Sequence, residues 1–143
     1  MSKTVCYLSQ IARCGIQYRN RRLEPWGIST RQASLLMEIC ATPGVSQDTL
    51  AKRIFLNKSV VARLLADLEE QGLVERPTCQ KDRRVVRLHP TEKAFQLLPH
   101  LQEIWFDWES HLTAGMTNEE LTTLNSLLDR LNIRAAEWTE GEE

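Results

Sequence analysis

Two helix-start signals stand close together in the middle of this chain, and they restrict its fold more than any other feature. Ser46 precedes a stretch carrying Leu50, Ala51 and Ile54. Asn57 precedes a second, with Val60, Val61, Leu64, Leu65 and Leu68 on one helical face. Both side chains present an oxygen that can accept from an otherwise unpaired first-turn amide. Only Phe55-Leu56 separates the two segments, and Gly72 supplies a left-handed stop for the second. A connection this short between two helices predicts a helix-turn-helix.

The segment that follows changes in texture. Leu73-Val74-Glu75-Arg76 opens apolar, Thr78 to Arg84 is polar and turn-like, and Val85-Val86-Arg87-Leu88 is β-branched. This predicts a β-hairpin with a long basic tip, the one strand pair expected here. The rest reads as helix. Residues 4–22 place Leu8, Ile11, Ala12, Gly15 and Ile16 at helical spacing before Pro25 and Gly27 break the run. Ser29-Thr30-Arg31-Gln32 is a capping-box pattern opening a helix with Ala33, Leu36, Met37, Ile39 and Cys40. Thr91 is placed to cap a long helix with Ala94, Phe95, Leu98, Leu101, Trp105, Trp108 and Leu112, which Pro99 should kink. Thr117-Asn118-Glu119-Glu120 is a second capping box before Leu121, Leu124, Leu127, Leu128 and Leu131, and residues 139–143 read as a frayed acidic tail.

The expected class is therefore mainly α with a small β-hairpin wing. A single domain over residues 1–143 fits 143 residues with 42% apolar content, enough for a core without disulfide or metal staples. No apolar run reaches the roughly 18–20 residues of a membrane span, and the N-terminus has no long apolar stretch of the secretory kind. Cys6, Cys14, Cys40 and Cys79 form no CxxC pair, which points to free thiols in a reducing cytoplasm.

The net charge of −1 hides a gradient. Residues 1–31 carry +5, residues 52–87 carry +4 and residues 101–143 carry −8. Burying the 60/61/64/65/68 face turns Lys58, Ser59, Ala62, Arg63 and Ala66 outward. Arg and Lys reach base edges or phosphates, Ser bonds to either, and Ala lets the helix approach a groove floor. Glu69 and Glu70, repelled by phosphate, should point away. At the hairpin tip, Lys81, Asp82, Arg83 and Arg84 suit a flanking minor groove, where narrow A·T tracts concentrate negative potential. Asp82 is expected to orient Arg76 or Arg84.

Gly27 to Gln32, Ser46-Gln47 with Leu50-Ala51, Val60 to Leu65, Leu68 to Arg76, Asp82-Arg83-Arg84 and Thr91-Glu92-Lys93 resemble the MarR (multiple antibiotic resistance regulator) family. The likeness spans roughly residues 8–135. It implies a homodimeric winged helix-turn-helix transcription regulator, with residues 29–90 forming the DNA-binding part. Residues 1–28 and 91–143 would supply N- and C-terminal dimerisation helices. The family's wing arginine is matched by Arg84 and its wing aspartate by Asp82. Ser46 and Gln47 join the expected DNA-binding set. The family's Leu-Thr-x-x-Gly after the wing is replaced by Pro90-Thr91-Glu92-Lys93-Ala94, where Ala94 is the better helix former.

The resemblance also implies a pseudo-palindromic double-stranded operator, repression as the usual mode, and release by a small aromatic or phenolic effector. Cys14, Tyr18, Trp26 and Met37 are placed to line an effector pocket. Two other readings compete. Cys6 lies where a peroxide-sensing branch of the family carries its reactive cysteine, although the tyrosines of that branch have no match here. A winged helix can also serve only protein–protein assembly. No metal site, cofactor motif or catalytic constellation is expected: Asp107 and His111 at i, i+4 suit a surface interaction, and no Gly-rich phosphate loop or nucleophile motif occurs.

Overall fold

The computed structural model describes residues 2–77 and 85–140. Six α-helices and three short strands follow in the order α1 (Lys3–Leu23), α2 (Thr30–Ala41), β1 (Val45–Ser46), α3 (Gln47–Arg53), α4 (Lys58–Glu70), β2 (Val74–Glu75), β3 (Arg87–Pro90), α5 (Glu92–Leu112) and α6 (Asn118–Glu140). A single 3-10 turn, Glu24–Trp26, separates α1 from α2, and Gly27 closes it at φ +66°, a left-handed value that glycine adopts without strain. The chain divides into two compact units, residues 1–108 and 109–143.

The capping signals act as their residue types require. Ser29 accepts from the Gln32 amide at 3.2 Å while the Gln32 side chain accepts from the Ser29 amide at 2.9 Å. Ser46 and Asn57 accept from the amides of Thr49 and Val60 at 3.1 and 3.0 Å, starting α3 and α4. Thr91 does the same for Ala94 at 3.2 Å. Val61, Leu65 and Leu68 of α4 are fully buried, together with Leu35, Leu36 and Ile39 of α2, Leu50 of α3 and Leu101 of α5. Each such side chain contributes about 1.5–3 kcal/mol by leaving water.

The sheet has three strands where the sequence suggested two. β3 is central: it pairs antiparallel with β2 (Val74↔Pro90, Glu75↔His89) and with β1 (Val45↔Leu88, Ser46↔Arg87). β1 is two residues long, too short for alternation to register, and buried Val45 is what anchors it. The return strand lies two residues later than expected, so Pro90 ends β3 rather than merely preceding a helix cap. Proline is tolerated at a strand end, where one ladder donor fewer does little harm.

Other expectations shift similarly. In α1 the buried residues are Gly15 and Leu23, while Leu8, Ile11 and Ile16 are exposed. Space at Gly15 is tight: a Cβ there would lie 3.1 Å from the Trp108 indole nitrogen, so a larger residue would push that ring by a few tenths of an ångström. In α5, Phe95 and Leu112 are exposed and Leu97 and Ile104 are core residues instead. The helix continues through exposed Pro99, which has no N–H to give the Phe95 carbonyl. α6 runs on to Glu140, so Thr139 and Glu140 are helical rather than frayed.

Candidate nucleic-acid interface

The site rests on α4 and on the turn that delivers it. The α3–α4 connection is tight because Phe55 takes φ +56°, a left-handed conformation rare for a bulky side chain, with 55% of its surface exposed. The Phe55 and Leu56 amides bond back to the Lys52 and Ala51 carbonyls at 3.4 and 3.3 Å, so the turn is closed by backbone contacts. Beyond it, Val61, Leu65 and Leu68 seat α4 on the core, with Val60 and Leu64 half-buried at the margins. Lys58, Ser59, Arg63 and Ala66 are left in water and Ala62 is half-buried.

Each exposed group has a definable chemical state. The Ser59 hydroxyl donates to Asn57 Oδ1 at 2.7 Å, which leaves its oxygen free to accept. Lys58 Nζ lies 3.6 Å from Asp48 Oδ1, an open surface pair of the kind worth at most about 1 kcal/mol, weak enough for phosphate to replace. Asp48 was not anticipated, because its approach to Lys58 crosses the tight turn instead of following a helix spacing. Arg63 has no ion-pair partner among the described residues. The acids of α4, Asp67, Glu69 and Glu70, lie in its second half, so charge along the helix runs from basic to acidic.

Ser46 is committed to capping, with its hydroxyl also 2.8 Å from that of Thr49. Gln47 is half-buried, and its Oε1 is shielded from water with no hydrogen-bond partner among the described residues. Lys81, Asp82, Arg83 and Arg84 lie outside the described residues. The expected orientation of Arg76 or Arg84 by Asp82 rests on those residues; Arg76 itself donates from Nε to Glu69 Oε2 at 2.6 Å. On β3, exposed Arg87 reaches the Gly44 carbonyl at 3.1 Å and staples the Pro43-Gly44 turn to the sheet.

The expected effector residues fall on α1, α2 and their connection. Cys14 is exposed on α1. The Tyr18 ring packs 5.3 Å from Trp108, and its hydroxyl accepts from Arg22 at 2.7 Å. Trp26 packs 5.3 Å from His100, so the two rings meet different partners on α5. Met37 packs against the core. Around Tyr18, Arg22 donates to Asp107 Oδ2 at 3.3 Å, and Arg19 lies 5.0 Å over the Trp105 ring with its Nε buried. Burial lowers the Arg19 pKa. For Arg22 burial pulls the same way, but the Asp107 and Tyr18 contacts outweigh it and leave its pKa raised. Cys6 is exposed on α1. Among the described residues no group of three or more His, Cys, Asp or Glu could hold a metal ion, and no helix is long and apolar enough to cross a membrane.

Comparison with known proteins gives a consistent result. The family model described as the MarR family matches residues 26–85. A crystal structure of the transcriptional regulator SlyA superposes with a TM-score of 0.96 at 22% identity, covering 99% of this chain and 100% of that one. A crystal structure of MarR gives 0.85 at 28% identity, covering 100% and 99%. A MarR family transcriptional regulator from Listeria monocytogenes complexed with 26mer DNA gives 0.91 at 23% identity, covering 96% and 91%. The fold is the winged helix of these regulators, and neither the family nor these neighbours are enzymes.

Proposed function

We propose that this chain is a MarR-family, homodimeric, sequence-specific DNA-binding repressor that a small aromatic or phenolic effector releases. The observation that carries the reading is the outer face of α4. Lys58, Ser59 and Arg63 stand in water on a helix whose opposite face is locked into the core, so a rigid support presents groups that can read bases and phosphates. Lys58 and Arg63 would enter the major groove, with Ser46 and Gln47 at the start of α3 beside them. Arg83 and Arg84 would reach the flanking minor groove. That a family relative crystallised with a 26mer DNA duplex supports the assignment.

Dimerisation is supported by α6, where Leu127, Leu128, Leu131 and Ile133 are exposed and Trp138 is 75% exposed. An apolar array of that size is covered in a stable soluble protein, and a two-fold partner would set two copies of α4 about one duplex turn apart. Tyr18, Trp26, Met37 and Cys14 remain the proposed effector contacts.

The test is selection from a randomised duplex pool with wild type and Arg84→Ala in parallel. We expect wild type to enrich a pseudo-palindrome and the variant to lose at least about tenfold in affinity with its fold intact. Binding should fall steeply with salt despite the near-neutral charge. No enrichment at low salt from folded protein would favour the protein-assembly reading.

A further inference from the structure

The second half of α4 contains a carboxylate in an unfavourable place. Glu69 lies in the last turn of the helix, where the negative end of the macrodipole disfavours an anion. On a DNA-reading helix it also brings negative charge towards phosphates. Glu70 beside it meets both penalties. The two differ in one respect: Glu69 accepts from Arg76 Nε at 2.6 Å, with the Arg76 side chain only 26% exposed.

Arg76 directly follows β2 and precedes Pro77. The α4 end is fastened elsewhere as well, but by contacts that lead to α5 or to the turn itself. Thr91 Oγ1 donates to the Gly72 carbonyl at 2.7 Å, Lys93 Nζ donates to the Gln71 carbonyl at 2.7 Å, and the Leu73 amide donates to the Leu68 carbonyl at 2.9 Å. None of these holds the chain as it leaves β2, and the Glu69–Arg76 pair does.

We infer that Glu69 is a positioning residue for DNA binding, which fixes the base of the β2–β3 hairpin on the reading helix through Arg76 so that both meet the duplex in one geometry. The inference rests on the DNA-binding reading above. A short charge-assisted bond constrains direction as well as distance. Its loss would let the hairpin base shift against α4, and contacts made from the two elements would no longer form together.

Charge alone predicts the opposite sign, since neutralising an acid on a DNA-binding helix should tighten binding. The experiment therefore compares Glu69→Gln with Glu70→Gln, the same charge change one residue apart. Binding is measured on the duplex that wild type enriches, across a salt series. Glu70→Gln should bind as wild type or more tightly, with the same salt slope. Glu69→Gln should bind about three- to tenfold more weakly, with the slope reduced by about one as a phosphate contact is lost. A fold defect would reduce the active fraction and leave the slope unchanged. Arg76→Gln, made in both wild type and Glu69→Gln, completes a cycle: it should cost much less where Glu69 is already gone. Glu69→Gln behaving as Glu70→Gln, or additive losses in the cycle, would overturn the inference. Failure of wild type to enrich any duplex would instead remove the DNA-binding reading beneath it.

Discussion

Helices α2 and α6 begin with the same device and end in different surroundings. Ser29 and Gln32 exchange hydrogen bonds at the start of α2, and Thr117 and Glu120 do so at the start of α6, at 3.0 and 3.1 Å. Seven of the twelve residues of α2 are buried, including Leu35, Leu36 and Ile39 at zero exposure. No described side chain of α6 is buried, although Leu124, Leu127, Leu128 and Leu131 keep helical spacing. A capping box settles where a helix starts. Whether its apolar face is covered depends on what the rest of the structure brings to it, and the described apolar side chains of α6 stay at least partly in water.

The strongest way to break this contrast is to hollow out the covered helix. Leu36→Ala should cost about 2–5 kcal/mol of unfolding free energy in urea titration, because the fully buried side chain leaves a cavity. A loss below about 1 kcal/mol would mean that α2 is not core. The same logic applied to α6 should barely alter protomer stability and should act on self-association instead. If the chain dimerises through this face as proposed, Leu131→Glu should weaken self-association by at least about tenfold in sedimentation, since an unpaired carboxylate would have to be buried at an apolar seam. An unchanged dimer would move the interface away from this face.

Smaller effects separate the two caps. Ser29→Ala should remove about 1 kcal/mol, because it frees the Gln32 amide in a part-buried setting. At α6 the effect is one of pH. The Thr117 backbone amide and hydroxyl hold the Glu120 carboxyl below its ordinary value of 4.5. A lowered folded-state pKa adds stability above the unfolded value, and that stability disappears as pH falls through the folded one. Thr117→Val should therefore lower stability at neutral pH, with the deficit shrinking as pH falls below about 4.5, so that part of the acid limb of the stability–pH profile flattens. A deficit that does not change with pH would show that the Thr117 hydroxyl does not act on the Glu120 carboxylate.

The covered region was also the more legible one. Ser29, Ser46, Asn57, Thr91 and Thr117 declared their caps because a short polar side chain before an apolar periodic run has few other roles. Val61, Leu65 and Leu68 were legible because α4 is apolar on one side only. α5 was harder: Phe95, Leu97, Leu98, Leu101, Ile104 and Trp105 are apolar on several sides, so spacing alone could not choose Leu97 over Phe95. β1 escaped because two residues carry no period, and its pairing with β3 is set 41 residues away at Arg87. The residues around α4 were read by type, but their partners were not. Lys58 meets Asp48, and Arg76 meets Glu69, across turns whose geometry is invisible to a helical wheel.

The placement of the thiols has a practical consequence. Cys6 and Cys14 stand in water on α1, whereas Cys40 is buried in α2 and its pKa is raised by that burial. Among the described cysteines, a thiol reagent should modify Cys6 and Cys14 first and Cys40, 9% exposed, far more slowly, as the core opens. The unmodified chain thus contains its own stopwatch: the late phase of labelling times the opening of α2, and operator DNA or an effector that lengthens that phase would report its grip on the protein without any attached probe.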